Sequence, residues 1–207
     1  MKIPGLASVG FLVSCGWHVG GSVWDAAGTT GCGLDGPAYA LPEVLSESSG
    51  AAWSVSKPGI WFTHNDGGHD ERLHVFNQEG VLVGEIPLVG GANQDWEDLA
   101  TGRCGHDACI YLADVGDNQE VRERVVLYRL LDPGVYDGSP QPVDVFPMIL
   151  PDGPRDMEAL FVLPGEQVFL VSKGRSHGPT LYRYPPPLRE GEEVTLMASP
   201  AEGYKKA

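Results

Sequence analysis

Positive charge is scarce in this chain. Lys and Arg number 14 against 28 Asp and Glu, a formal charge of −14 at pH 7, and no basic cluster is longer than two residues. Proteins that grip nucleic acid do so by neutralising phosphates, so this balance argues against a nucleic-acid partner. Long apolar runs are missing too. The uncharged, mostly apolar segment from Ile3 to Ser14 is too short to cross a bilayer. There is no Gly-x-Ser-x-Gly elbow, no phosphate-cradling P-loop and no His-Glu-x-x-His pair, which removes the usual sequence grounds for a serine hydrolase, an NTPase or a zinc protease. Ser172 and Lys173 are adjacent on a predicted strand, so they point to opposite faces and do not make a nucleophile and base.

What is abundant is Gly (28) and Pro (17), which favours many short strands joined by turns. The acidic excess keeps a protein soluble and also suits a cation partner. Residues 1–15 resemble a signal peptide, and Leu12-Val13-Ser14-Cys15 resembles a bacterial lipobox, which predicts lipidation at Cys15; a plain signal peptide and a misassigned start are the alternatives. Gly16 after the cysteine then implies the outer membrane or cell surface, and without lipid the protein is expected in the periplasm or outside the cell. Membrane contact is thus expected only through a lipid anchor. Residues 16–46 read as a Gly/Ala-rich tether. In an oxidising compartment Cys104 and Cys109 can close a small loop; zinc held by Cys104, His106 and Cys109 is the alternative, with no evident fourth ligand. Cys32 has no assigned role.

From Glu47 onward the chain repeats itself. ESSGAAW (47–53), GIWFTHNDGG (59–68), RLHVFN (72–77) and VLVGEIPL (81–88) are followed in the same order by DWEDLAT (95–101), CIYLADVGDN (109–118), RVVLYRLLDP (124–133) and VDVFPMIL (143–150). DMEALFVL (156–163), QVFLVSKGR (167–175), TLYRYP (180–185) and EVTLMAS (193–199) make a third set. Four short β-rich segments repeated head to tail predict an all-β chain, a β-propeller of four-stranded blades. A sandwich does not repeat its own order in this way. The region 47–207 then holds about three blades, at 47–90, 95–150 and 156–200. Rings close with about four to eight blades, so the chain reads as part of a six-bladed ring whose open edges favour self-association.

Stacking the repeats aligns ESSGAA, DWEDLA and DMEALF on the first strand, innermost in a propeller. Alternation puts Glu47, Asp95 and Asp156 on one face with Ser49, Glu97 and Glu158. The second strands end in polar turns that gather His64, Asn65, Asp66, Asp114, Asp117, Asn118, Lys173 and Arg175. Crowded carboxylates at a channel mouth need a counter-charge, and calcium, bound by about six to eight oxygens, meets that need. Turn formation is the competing explanation, because Asp and Asn cap nearby backbone amides and Glu can pair with Lys or Arg. Trp53, Trp61 and Trp96 are expected between blades; Tyr128 and Tyr182 are expected in the core, with Arg129 and Arg183 at the rim.

The elements THNDGG, RLHVFNQEG, DWEDLA, YLADVGDN and VVLYRLLDP resemble a group of bacterial secreted β-propeller proteins marked by HNDSG, DWEDIA and GDN, and more distantly the SdiA-regulated, esterase-like and β-propeller phytase families. The resemblance spans residues 47 to about 185. It implies calcium held by channel carboxylates and an amide oxygen, here Asp95, Glu97, Asp98, Asp114, Asp117, Asp156 and Glu158 with Asn118, and an anion or ligand touched by Lys173, Arg175, His64, Asn65 and Asp66. The expected function is an exported, surface-anchored calcium-binding propeller serving as a binding or scaffold module. A calcium-dependent phosphoesterase or esterase is the alternative. A fragment of a larger propeller without activity of its own is the third. The chain departs from the phytase pattern in lacking half the blades and any dense Lys/Arg cluster for a polyphosphate.

Overall fold

The computed structural model describes residues 39–174 and 178–200. The readings of residues 1–15, Cys15, Cys32, the tether up to residue 38 and Arg175 lie outside the described residues. Among the described residues the regular elements are strands, with no helix.

Three meanders follow one another. Sheet 1 holds β1 (Ser48–Trp53), β2 (Ile60–Asn65), β3 (Arg72–Asn77) and β4 (Leu82–Val89). Sheet 2 holds β5 (Trp96–Cys104), β6 (Asp107–Asp114) and β7 (Val125–Leu131), then, after the short β8 (Gln141–Pro142), β9 (Asp144–Ile149). Sheet 3 holds β10 (Met157–Leu163), β11 (Gln167–Ser172) and β12 (Thr180–Arg183), then, after the short β13 (Val194–Thr195), β14 (Met197–Pro200). The long strands of each meander pair antiparallel in chain order. The sheets do not close into a barrel.

The two short strands leave their own meander. β8 pairs parallel with β4 (Leu88↔Gln141, Val89↔Pro142) and β13 pairs parallel with β9 (Val194↔Met148, Thr195↔Ile149), so each unit lends a strand to the outer edge of the one before it. Residues 134–142 fall between predicted strands, and 193–199 read from sequence as a single strand. Instead, Pro142 occupies an edge position, where a missing N–H is tolerated, and the chain changes sheets at Leu196, which is buried and donates its N–H to Ile149 O at 2.9 Å.

Two cores separate the three sheets. Phe62, Leu73, Val75 and Ile86 of sheet 1 meet Trp96, Leu99, Ile110 and Leu112 of sheet 2. Tyr111, Leu127, Phe146 and Met148, from the other face of sheet 2, meet Met157, Leu160, Leu170 and Tyr182 of sheet 3. Sheet 2 is therefore covered on both sides, and β6 reads as an unbroken apolar run from Cys109 to Ala113, all buried. β11 has one covered face and alternates between buried and half-buried residues. Each fully buried large side chain contributes about 1.5–3 kcal/mol.

Two expectations need correction. Residues 39–46 are not wholly tether: Leu45 is buried, Val44 O accepts from Asn65 Nδ2 at 2.8 Å, and Tyr39 lies against Gly80 in the β3–β4 turn. Burial of Leu45 takes apolar surface out of water, which favours the ordered segment. Trp53 is not packed between sheets; it is 58 % exposed, resting edge-on against Trp61. Trp96 is fully buried, as are Tyr128 and Tyr182, while Arg129 pairs with Asp144 and Glu166.

Candidate metal centre

The first strands meet at one end. β5 lies between β1 and β10, and all three strands carry an irregularity near their starts, at Ser48/Ala51, Trp96/Asp98 and Met157/Ala159. A bulge of this kind re-aims side chains. Here Trp96 pairs with Asp114 and Asp98 with Ala113, so Trp96 and Asp98, although two apart, take opposite faces of β5; on the side of sheet 3 Asp98 accepts from Leu99 N at 2.8 Å and from Leu160 N at 2.7 Å, tying β5 to β10.

Five carboxylates from three sheets then converge. Asp66, after β2, joins Asp95 and Glu97; Glu97 also joins Asp156 and Glu158; within each group one carboxylate oxygen from every member lies within 4.8 Å of the others. Glu97 is common to both groups. Asp156 is 1 % exposed and Glu97 8 %. Burial pushes the Glu97 carboxyl up to about 8, and Glu158, Asp66, Asp95 and Asp156 push in the same direction. Burial also raises Asp95, with Asp66 adding to the rise and Arg122 opposing it. Lys173 contacts Glu158 and stands 3.7 Å from Asp156 Oδ2. Ser49 Oγ donates weakly to Glu97 Oε2 at 3.5 Å.

A loop after β6 walls the cluster. Val115 N and Gly116 N donate to Asp95 O, Asp117 N donates to Asp156 Oδ1 at 3.1 Å, and Arg122 N donates to Asp117 Oδ2 at 2.6 Å. Gly116 is required by closeness: a Cβ there would sit 2.6 Å from Asp95 Oδ2. Gly67 is under the same constraint, 2.9 Å from Asp95 Oδ1. Arg122, largely covered, pairs with the buried Asp114 at 3.0 Å and donates from Nη1 to Gly116 O at 2.7 Å. Asp114 Oδ1 in turn accepts from Asp95 N at 3.1 Å.

The eight residues read as calcium ligands thus divide. Asp95, Glu97, Asp156 and Glu158 stand in the two groups. Asp98, Asp114 and Asp117 do not, because backbone amides and Arg122 occupy their oxygens; Asn118 is exposed in the turn beyond them. Of the residues read as ligand contacts, Asp66 joins the carboxylates instead. Asn65 braces Glu47 N and Val44 O. His64 is fully buried with its ring edge-on to Trp96, and burial lowers its pKa to about 4. It has the parity of Phe62 and so faces sheet 2 rather than a ligand. Arg122 was not singled out from the sequence; it is one of two arginines, with Arg124, in the segment 119–124 that follows a strand ending in Asp114, and that proximity was the available signal.

At the opposite end of β5 and β6, the sulfurs of Cys104 and Cys109 lie at disulfide distance, with Cα atoms 5.8 Å apart. That pairing takes up the thiolates a zinc site would need. The convergent group offers carboxylate oxygens alone, a donor set for a hard divalent cation. No protein-family model and no curated protein matches the chain.

Proposed function

We propose that the chain is a calcium-binding β-propeller module of an exported protein, held at the cell surface through Cys15. The propeller reading is supported by the succession of four-stranded meanders, each packed on the next, and by the resemblance of the HND, DWED and GDN elements to secreted propeller proteins. The export reading rests on the lipobox-like residues 12–15.

One observation carries the calcium reading: five carboxylates from three sheets converge in two groups that share Glu97, and among the described residues Lys173 stands beside two of them, Asp156 and Glu158. Like charges this close cannot all ionise without a cation. Calcium accepts irregular oxygen cages, whereas magnesium demands near-octahedral geometry and keeps its waters. A bound ion would tie sheets 1, 2 and 3 together at their inner ends and hold that surface rigid for a binding partner. Lys173, beside the cluster, gives the hydrolase reading its one foothold, since a lysine next to a metal can hold a phosphate or carboxylate.

Calorimetric titration of calcium into chelator-treated protein, with melting curves in calcium and in EDTA, tests the reading. The expected result is saturable heat and a rise in melting temperature. No heat and no shift would sink both the module and the hydrolase. Binding without turnover of phosphomonoesters or short esters leaves the module; calcium-dependent turnover replaces it with the hydrolase.

A further inference from the structure

Sheet 3 has a second face. Across its strands the paired residues run Phe161, Phe169, Arg183, Met197 in one row and Ala159, Val171, Leu181, Ser199 in the next. No carboxylate occurs in either row, in a chain with 28 of them. Phe161 is 39 % exposed and Met197 54 %. Phe161 and Phe169 stack with centroids 4.9 Å apart, and the Arg183 guanidinium lies 5.7 Å from the Phe169 centroid while Nη2 donates to Gln167 at 3.1 Å.

The order of each row is self-complementary. Laid against its own reverse, the first row sets Phe161 against Met197 and Phe169 against Arg183. The second sets Ala159 against Ser199 and Val171 against Leu181. These are thioether–aromatic, cation–π, small–small and aliphatic pairs. A two-fold axis running along the strands between β11 and β12 performs that reversal. We infer that this face of sheet 3 is an isologous interface between two copies of the chain.

Size and closure bear on that occupant. Four strands about 4.8 Å apart and two rows about 6.6 Å apart, with Leu163 and Gln167 beginning a third, give a face of about 19 by 13 Å. Two such faces bury on the order of 600 Å², below the size of a standard specific pair, so a weak pair with a dissociation constant in the high micromolar to millimolar range is expected. Head-to-tail growth is opposed because residues 39–46 lie across the outward side of sheet 1; an isologous pair then closes at two. The inference does not depend on calcium.

Sedimentation velocity of the full chain over a wide concentration range, repeated in EDTA and in calcium, tests it. The expected result is a reversible monomer–dimer equilibrium in both, weakened at least about tenfold by Phe161→Glu, the loss of one well-packed contact. Met197→Lys, at a more exposed position, should weaken it likewise if the first variant fails to fold by circular dichroism. Copies carrying Phe161→Cys mixed with copies carrying Met197→Cys should form an intermolecular 161–197 disulfide on mapping by mass spectrometry. A monomer at every concentration overturns the inference. So does a dimer indifferent to both substitutions, or a dimer in which the mixed disulfide does not form.

Discussion

Glu97 belongs to two acidic groups whose other members are balanced differently. On the side of sheet 3, Lys173 stands against both Glu158 and Asp156. On the side of sheet 1, among the described residues, no Lys or Arg pairs with Asp66 or Asp95; Arg122, the cation that eases Asp95 from a distance, is paired with Asp114. The same Asp-x-Glu spacing therefore gives one flank with an internal cation and one without. The flank without is where an ion has most to neutralise.

The largest effect should come from breaking the wall that both flanks share. Arg122→Met leaves Asp114 buried without its partner and should cost about 3–5 kcal/mol in urea unfolding, with or without calcium. Glu97→Gln removes the shared ligand; the calcium-induced rise in melting temperature should vanish while the calcium-free fold persists. Asp95→Asn on the lysine-free flank should weaken calcium binding in calorimetry by roughly 10–100-fold, more than Glu158→Gln does, because Lys173 already offsets Glu158. Lys173→Gln should tighten binding by only roughly 2- to 5-fold, the scale of an exposed pair; weaker binding instead would show that the two flanks do not differ as described.

A smaller effect lies away from the cluster. His74 is buried in sheet 1 and its Nδ1 has no partner; burial lowers its pKa from the ordinary 6.5. Below 6.5 the unfolded chain therefore takes up a proton that the folded one resists. Stability should fall as pH drops through that value, and His74→Gln should flatten the slope in urea titrations at pH 5 and 7.

The strands were legible because their burial writes itself into residue type. β6, covered on both faces, is a continuous apolar run, and β11, covered on one, alternates. Asp95, Glu97, Asp156 and Glu158 were legible as a repeated spacing. What period-2 reasoning could not supply was the bulge at the start of each first strand, which sends Asp98 to the Leu160 amide. Nor could it reveal that Asp114 and Asp117 serve Arg122 and its loop, since that depends on a residue eight positions from Asp114 folding back. The burial of His64 was not legible for a similar reason: a polar residue near a strand end looks accessible until the next sheet covers it.

The lent strands impose an order on synthesis. The outer edge of β4 is complete once Val89 has emerged, yet its partner begins at Gln141. At about 5–20 residues per second, the ribosome leaves that edge unsealed for several seconds. An unsealed edge is an invitation to foreign strands. For this chain the hazardous interval is set by the clock of translation: any slowing between residues 90 and 140 lengthens the time in which sheet 1 can pair with the wrong neighbour.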